Sequence, residues 1–297
     1  MSNSESILQD LKKCLADISA PHMQRDTGDM DAEYELNFSA FRAVINEEEV
    51  ILAATCDVID AHIKTDASNL QPYYRICSLG CGNGTMDKKI LQQISQLHPD
   101  LKFQYVGLDN NDPSLEKAKD TFSGELKNID VTLRNCDVEK VHPSEFEKFD
   151  MVVAIHSMTY MNSLADVLSK FVELLKPVGE LFMIHSSDDC PLYKLSEVFL
   201  QHQSKKSFAL SKDHTLFVLS QKKCIKYFEK DHDASFDKQK FTSNETTMQR
   251  VLDFIAHVPL QVYPSNITQL SRDYLESVDK ERAGKLIRMN SMRVVKC

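Results

Sequence analysis

The chain has 297 residues, 42% of them hydrophobic and 27% charged, and a formal net charge of −9. This composition is typical of a globular protein and gives ample material for a buried core. The acidity, without a concentrated basic region, argues against nucleic acid as a partner and favours a small molecule. No apolar run reaches the roughly 20 residues that span a membrane, and the first residues lack a secretory pattern. We therefore expect a cytoplasmic protein whose eight scattered cysteines are reduced.

Residues 1–70 are predicted to form N-terminal helices. Apolar residues recur at helical spacing between residues 5 and 18, which predicts an amphipathic helix with Ser4 as its cap. A break containing Pro, Gly and Asp follows. The helical pattern then resumes and predicts one long helix over residues 33–64.

Strand and helix patterns alternate over residues 74–187. Short apolar strands are predicted at 74–79, 101–109, 130–137, 149–156 and 179–187, with helices between most of them. Such alternation builds right-handed βαβ units and predicts an α/β fold with a Rossmann-like, doubly wound, mostly parallel sheet. Ligands of these sheets bind beyond the carboxyl ends of the strands, so we expect residues 74–187 to form a cofactor-binding core.

The alternation loosens over residues 188–297. Helices are predicted at 191–201, 213–222, 244–258 and 266–279, with a strand near 224–229 and a terminal strand over 284–295 at the sheet edge. We expect these helices to cap the strand ends, so that residues 1–297 form one domain. No heptad seam or long apolar stripe is left over, and a monomer is expected.

Glycines concentrate at the first strand-to-helix junction. Three of the eight in the chain, Gly80, Gly82 and Gly84, fall within five positions. Glycine permits positive φ and close approach of a ligand to the backbone, and the helix from Thr85 directs its free N–H groups at the loop. The spacing G-x-G-x-G differs from the G-x-G-x-x-G of dinucleotide-binding loops, and no G-K-[ST] follows, which excludes a P-loop.

The motif L-G-C-G-N-G resembles motif I of the class I S-adenosylmethionine-dependent methyltransferases. The resemblance implies S-adenosylmethionine as cofactor, with its methionyl part wrapped by the loop residues Gly80, Cys81, Gly82, Asn83 and Gly84. It also implies that an acid near the end of the second strand holds the ribose hydroxyls, and that adenine lies near the ends of the next two strands.

Two acids follow the second strand, Asp109 and Asp112. Either carboxylate can accept hydrogen bonds from two ribose hydroxyls. Asp112 is favoured here over Asp109, although Asp112 could instead cap the helix that begins with Pro113. For the adenine side the resemblance implies Asp137, Val138 and Ile155. The alternatives are an ordinary strand-end acid for Asp137 and a core position for Ile155.

A closer resemblance, over about residues 34–296, is to the histamine N-methyltransferase family. The segments that carry it are YRICSLGCGNGTMDKKIL, NDPSLEK, AIHSMTYM and GKLIRMNSMRVV. The resemblance places cofactor contacts at Gly80, Asp112 and Lys117. It also implies that Glu47 and Asn290 bind and orient a small amine in a pocket to which the N-terminal helices contribute. On its own, Glu47 begins an acidic run that is ordinarily a solvated helix face.

His156 stands where that family has a glutamine, and Thr159 and Tyr160 stand where it has two adjacent tyrosines. We predict Tyr160 as a substrate contact. Histidine has a pKa near neutral pH, so His156 can act as a general base, or it can simply pack at the strand end. The chain has no tryptophan, which thins any aromatic cage for an ammonium group.

These observations predict an N-methyltransferase of a small amine or imidazole, histamine or a histamine-like compound. Another small amine, such as a histidine-derived dipeptide, is the alternative within this class. A non-catalytic relative that binds the cofactor or a metabolite is the alternative outside it. No metal ligand is expected.

Overall fold

The structure is a computed structural model that describes residues 2–20, 27–65, 73–124, 126–158, 161, 163–187, 189–203, 215, 218–221 and 225–296. The chain divides into two compact units. Unit 1 comprises Met1–Glu48, Ser186–Ala209 and His232–Met289, and unit 2 comprises Glu49–His185, Leu210–Asp231 and Asn290–Cys297. The predicted helix over 213–222 lies largely outside the described residues.

The described strands form a seven-stranded sheet that lies mainly in unit 2, in the order β3-β2-β1-β4-β5-β7-β6. The strands are β1 Tyr73–Leu79, β2 Lys102–Asp109, β3 Ile129–Asn135, β4 Phe149–Ile155, β5 Leu175–Ser186, β6 Ile225–Ala234 and β7 Ile287–Lys296. Neighbours among β1 to β5 pair in parallel, as the alternating pattern predicts. Because β2 and β4 flank β1 on opposite sides, the strand order reverses at β1, where such sheets bind their ligands.

The prediction that the terminal strand lies at the sheet edge is wrong, because β7 lies between β5 and β6. Asn290 on β7 donates to Asp231 on β6 at 2.9 Å, and Ser291 donates to the carbonyl oxygen of Lys230 at 3.3 Å. Most of β6 is exposed, so β6 and not β7 forms the edge. Charged residues on β6 suit that position, because they discourage pairing with another chain.

The helices around the sheet in unit 2 bury apolar stripes against it. They are α3 Glu47–Thr65, of which the first two residues belong to unit 1, α4 Thr85–Leu97, α5 Asp112–Thr121 and α6 Leu164–Leu174. On α6, Val167, Leu168 and Phe171 are at most 1% exposed and pack with Val152 and Ala154 of β4. Each such large side chain contributes roughly 1.5–3 kcal/mol of hydrophobic stabilisation. This core fixes the strand ends that carry the candidate site.

Unit 1 is helical. Its described helices are α1 Asn3–Ala16, α2 Thr27–Val44, α7 Pro191–His202, α8 Lys238–Phe241, α9 Glu245–Ala256 and α10 Ser265–Glu281. The prediction of Ser4 as the cap of α1 is wrong: Ser2 is the cap, in a capping box with Glu5. Ser4 is buried, and its hydroxyl donates instead to Glu281 at 2.6 Å.

The single helix predicted over 33–64 is two helices, α2 and α3, because residues 45 and 46 pair with another segment. Ile45 forms a bridge with Phe236, and the side-chain oxygen of Asn46 accepts from the Ser235 N–H at 2.6 Å. The break makes Glu47 the first residue of α3. Among the described residues, none of the helices combines the length and apolar character needed to cross a membrane.

Candidate functional site

The loop after β1 adopts the left-handed backbone that its glycines permit. Gly80, Gly82 and Gly84 have φ values of +74°, +54° and +71°. Side chains other than glycine rarely adopt this conformation, at a cost of about 1–2 kcal/mol per residue. The N–H groups of Gly80 and Cys81 both donate to the Leu108 carbonyl at 2.7 and 3.1 Å, which ties the loop to the end of β2. The cluster of glycines is therefore a backbone requirement.

The surroundings of the three glycines differ. A Cβ on Gly80 would lie 2.5 Å from Cβ of Ser157, and one on Gly84 would lie 2.6 Å from the Phe122 ring. A Cβ on Gly82 would meet nothing within 4 Å. The loop is thus supported by protein at both ends and open at its middle. Asn83 accepts from the Thr85 N–H at 3.1 Å and satisfies one N–H at the start of α4.

Asp109, the last residue of β2, is fixed against this loop. Its Oδ2 accepts from the Gly82 N–H at 2.8 Å, and its Oδ1 accepts from the Asn111 N–H at 2.9 Å. A carboxylate has about four lone-pair directions, so both oxygens can accept further hydrogen bonds from a ligand. The structure therefore places one anchored carboxylate beside the open middle of the glycine loop.

Asp112, the acid favoured by the sequence, is the exposed first residue of α5 and accepts a hydrogen bond from the Asn135 side chain. The alternative role of Asp112 as the helix cap is wrong, because Asn111 caps α5 by accepting from the Ser114 N–H at 2.8 Å. Lys117 is exposed on the same helix. Asp112 therefore lies on the surface of α5, whereas Asp109, at the end of β2, contacts the glycine loop.

Asp137 and Val138 lie just beyond β3. The Asp137 carboxylate caps a 3-10 helix at Val138–Lys140, accepting from the Glu139 N–H at 3.0 Å. Its hydrogen bond with Lys140, whose ammonium lies 2.8 Å away, lowers the pKa of Asp137. Val138 is partly buried against the core of unit 2. The capping role is that of an ordinary strand-end acid, the alternative given for Asp137, and the contact with adenine stays a prediction.

The end of β4 lies next to the glycine loop. Ile155, partly buried, pairs with Ile184 of β5. His156 follows with φ +52°, and its N–H donates to the Ile184 carbonyl at 2.8 Å. A non-glycine residue held in this region is strained by about 1–3 kcal/mol, a feature that clusters at functional sites. Ser157, next in the chain, is the residue that packs against Gly80.

Besides His156, which was also predicted to contact the substrate, three residues were predicted to bind it. Glu47 is partly buried at the start of α3, in unit 1. Burial raises the pKa of the Cys190 thiol, and the charge of Glu47 adds to that effect, so these two side chains interact. Asn290, in unit 2, is fully buried, and its Oδ1 accepts no hydrogen bond from the described residues. Tyr160 and its neighbour Thr159 lie outside the described residues.

Sequence reasoning missed Asp87, which is 6% exposed in the first turn of α4. Burial raises its pKa to about 6, although the polar groups of Ser78 and Tyr105 act in the opposite direction. A signal was present, because Asp87 precedes Ile90, Leu91 and Ile94 at the spacing of the buried stripe. No group of three or more His, Cys, Asp or Glu within the described part of the chain could hold a metal ion.

The sheet is doubly wound, with an open glycine loop after its first strand and an anchored acid at the end of its second. These features define a class of proteins that bind a nucleoside-containing cofactor. A comparison with family models narrows this class further. Residues 70–249, more than half of it, match the model of a methyltransferase domain. The protein therefore belongs to the methyltransferase domain family. The left-handed glycines, the open space at Gly82 and the Asp109 carboxylate fit the methionyl and ribose groups of S-adenosylmethionine.

Solved structures similar to this chain have the same fold. The plantazolicin methyltransferase BpumL in complex with SAH is 13% identical with a TM-score of 0.50, and 99% of each chain is covered. The related BamL, in complex with a triazolic desmethylPZN analog and SAH, is 10% identical at 0.52, with 99% of each chain covered. A putative sarcosine dimethylglycine methyltransferase from Galdieria sulphuraria is 11% identical at 0.52, with 90% of this chain and 98% of that one covered.

These comparisons confirm the predicted class I methyltransferase fold and, at the level of the family, the predicted cofactor S-adenosylmethionine. A search of curated proteins finds no match.

Proposed function

We propose that this protein is an S-adenosylmethionine-dependent N-methyltransferase that acts on a small amine or imidazole, histamine or a histamine-like compound. One observation carries the proposal: Ser157 packs against Gly80, so the chain segment that bears His156 adjoins the loop assigned to the methyl donor. A general base near the donor loop is the arrangement that methyl transfer needs when the attacking nitrogen must also give up a proton.

We assign the ribose hydroxyls to Asp109 and not to Asp112. Asp109 is held by two backbone N–H groups, one of them in the glycine loop, whereas Asp112 is exposed on α5. A carboxylate already fixed in place loses little conformational entropy when a ligand binds. Gly80, Cys81, Gly82, Asn83 and Gly84 remain the proposed cradle of the methionyl group. Asp137, Val138, Ile155 and Lys117 remain proposed cofactor contacts, Lys117 with the least structural support because it is exposed.

Glu47, in unit 1, and Asn290, in unit 2, are each proposed as a contact of the amine substrate. The Glu47 carboxylate would accept an N–H from an imidazole or ammonium group, fixing the tautomer so that the other ring nitrogen is bare. Asn290 is fully buried, and its Oδ1 has no partner among the described residues, so it retains the capacity to accept a substrate N–H. Buried polar atoms are ordinarily hydrogen-bonded, which makes such an atom a candidate ligand contact. Tyr160 completes the proposed set.

When bound, S-adenosylmethionine supplies a methyl group carried on a positively charged sulfur. The protein has to orient a nitrogen lone pair towards that methyl group and accept one proton. An imidazole has a reference pKa of roughly 6.5, so it is mainly neutral at pH 7 and can attack without a base. Its remaining N–H proton then passes to Glu47. For an aliphatic amine, the proton on the newly methylated nitrogen passes to His156.

The experiment is a transfer assay with methyl-labelled S-adenosylmethionine and a panel of amines that includes histamine, an imidazole dipeptide and simple primary amines. Labelled product from one of them supports the proposal and names the substrate, and reactions without the protein give the background. The panel also includes the macromolecules of a cell lysate from which nucleic acid has been removed. This sample tests whether the protein methylates macromolecules instead of small amines. Cofactor binding without any turnover would favour the non-catalytic alternative.

A further inference from the structure

Asp87 is an ionisable side chain in an apolar position. It is the third residue of α4, it is 6% exposed, and it shares the buried face of the helix with Ile90, Leu91 and Ile94. Aspartate is almost never fully buried unless it is paired. The role of Asp87 therefore depends on the groups around its carboxyl.

Asp87 lies in the first turn of α4, directly after the glycine loop. Ser78, at the end of β1, and Tyr105, on β2, are at most 3% exposed, and the polar groups of both act to lower the pKa of the Asp87 carboxyl. Tyr105 and Cys81 both lie close to Gly107, where a Cβ would be 2.9 Å from Tyr105 Oη and 3.0 Å from Cys81 Sγ. Cys81 is a residue of the glycine loop, so these side chains adjoin the backbone that is proposed to hold the cofactor.

Among the described residues, the side chains that act most strongly on the Asp87 carboxyl include no lysine, arginine or histidine. The titratable side chains that act on it or respond to its charge are Cys77 on β1, Cys81 in the loop, and Tyr105 and Asp109 on β2. They are thiols, a phenol and a carboxyl group. A buried carboxylate without a cation is costly in free energy. A cationic ligand in the loop would offset part of that cost.

We propose that Asp87 is a charge-selecting positioning residue: its buried carboxylate, in the first helical turn after the glycine loop, makes the loop prefer the cationic sulfonium donor to the thioether left after transfer. S-adenosylmethionine and S-adenosylhomocysteine differ by one methyl group and the positive charge on sulfur. Charge interactions extend well beyond contact distance in a low-dielectric interior. Asp87 therefore favours release of the product over the donor. The proposal rests on the glycine loop as the donor site and does not depend on which amine is methylated.

The test is calorimetric titration of the full chain with S-adenosylmethionine and, separately, with S-adenosylhomocysteine. Asp87→Asn removes the charge while keeping the size of the side chain. At pH 7.5 it weakens donor affinity about tenfold, equivalent to about 1.4 kcal/mol, and product affinity less than about threefold. Asp253→Asn is the matched control, because burial also raises the pKa of Asp253, which lies on α9 and accepts from the Leu260 N–H at 2.7 Å. It leaves both affinities unchanged.

A second measurement needs no variant. In the wild-type protein, the preference for donor over product falls as the pH is lowered through about 6, where Asp87 takes up a proton. In Asp87→Asn the preference stays constant over the same range. Equal losses of donor and product affinity in Asp87→Asn would overturn the proposal and show that Asp87 has only a structural role. A wild-type preference for donor over product that does not change with pH would overturn it as well. Failure of the wild type to bind either compound would overturn the donor site itself, whereas absence of turnover with intact binding would overturn only the amine proposal.

Discussion

The carboxylate of Asp109 accepts a hydrogen bond from the backbone N–H of Gly82, with 2.8 Å between oxygen and nitrogen. This contact joins the end of β2 to the middle of the glycine loop, at the one loop glycine whose missing side chain would face open space. The acid that is proposed to hold the ribose therefore also sets the shape of the cradle beside it.

The first prediction compares the two candidate ribose acids. Asp109→Asn removes a charge that is anchored at the loop, and hydrogen bonds to charged groups contribute about 1.5–3 kcal/mol, so cofactor affinity falls roughly 10- to 150-fold. Asp112→Asn alters an exposed residue on α5 and changes affinity less than about threefold. Titration of both variants with S-adenosylhomocysteine measures the effect. The reverse order of the two losses would restore Asp112 as the ribose acid.

The second prediction separates two effects of an alanine in the glycine loop: backbone strain, and blocking of the space assigned to the cofactor. Gly82→Ala meets no protein atom within 4 Å but keeps φ at +54°, so it lowers the free energy of unfolding by only about 1–2 kcal/mol. Its methyl group enters the space assigned to the cofactor, and binding falls sharply. Gly80→Ala has similar backbone strain and also a clash, because the new Cβ would lie 2.5 Å from Cβ of Ser157. This variant therefore unfolds at a lower temperature than Gly82→Ala. Normal cofactor binding by Gly82→Ala would show that the loop is not the cradle.

The third prediction concerns His156. His156→Gln leaves the glycine loop and Asp109 unchanged, so cofactor affinity stays within about threefold while the order of preference among amines shifts, with aliphatic amines losing the most. Rates over the amine panel, set beside cofactor titrations, measure the two effects. Collapse of cofactor binding with the same amine preference would mean that His156 supports the fold at the end of β4 and does not serve the substrate.

The fourth prediction follows from the raised pKa of Asp87. With a pKa of about 6 in the folded state against 3.8 for the ordinary carboxyl, the folded chain binds the proton more readily than the unfolded chain between these values. Stability from this group is therefore present below pH 4 and is lost as the pH rises to 6, by up to about 3 kcal/mol. Relative to wild type, Asp87→Asn gains stability between pH 4 and pH 8.

Denaturant unfolding of both proteins at pH 4, 6 and 8 measures this gain, because the other groups titrate alike in the two proteins. A difference that does not change with pH would mean that the Asp87 carboxyl titrates normally. A gain in stability above pH 6 together with weaker donor binding would show that the buried charge is kept for function at the expense of the fold.

The sequence alone was sufficient for the parallel part of the sheet, β1 to β5, and for the conformation of the glycine loop. Buried strands such as β4 and amphipathic helices such as α6 can be predicted from the spacing of their apolar residues. The positive φ values of Gly80, Gly82 and Gly84 are expected because three glycines occur close together at the end of a strand. The loop's need for glycine is local, so local reasoning finds it.

The features that sequence reasoning missed depend on distant partners. The break before Glu47 exists because Ile45 and Asn46 pair with Phe236 and Ser235, almost two hundred positions away in the chain. No local pattern shows that the Asp109 carboxylate accepts a hydrogen bond from the Gly82 N–H. Tertiary contacts of this kind override local propensity.

The most direct test is a crystal structure of the protein grown with S-adenosylhomocysteine. The account predicts the homocysteine part along the Gly80–Gly84 loop and both ribose hydroxyls within hydrogen-bond distance of the Asp109 carboxylate. Density for the compound elsewhere, or a ribose held by Asp112 while Asp109 contacts only Gly82 and Asn111, would contradict it.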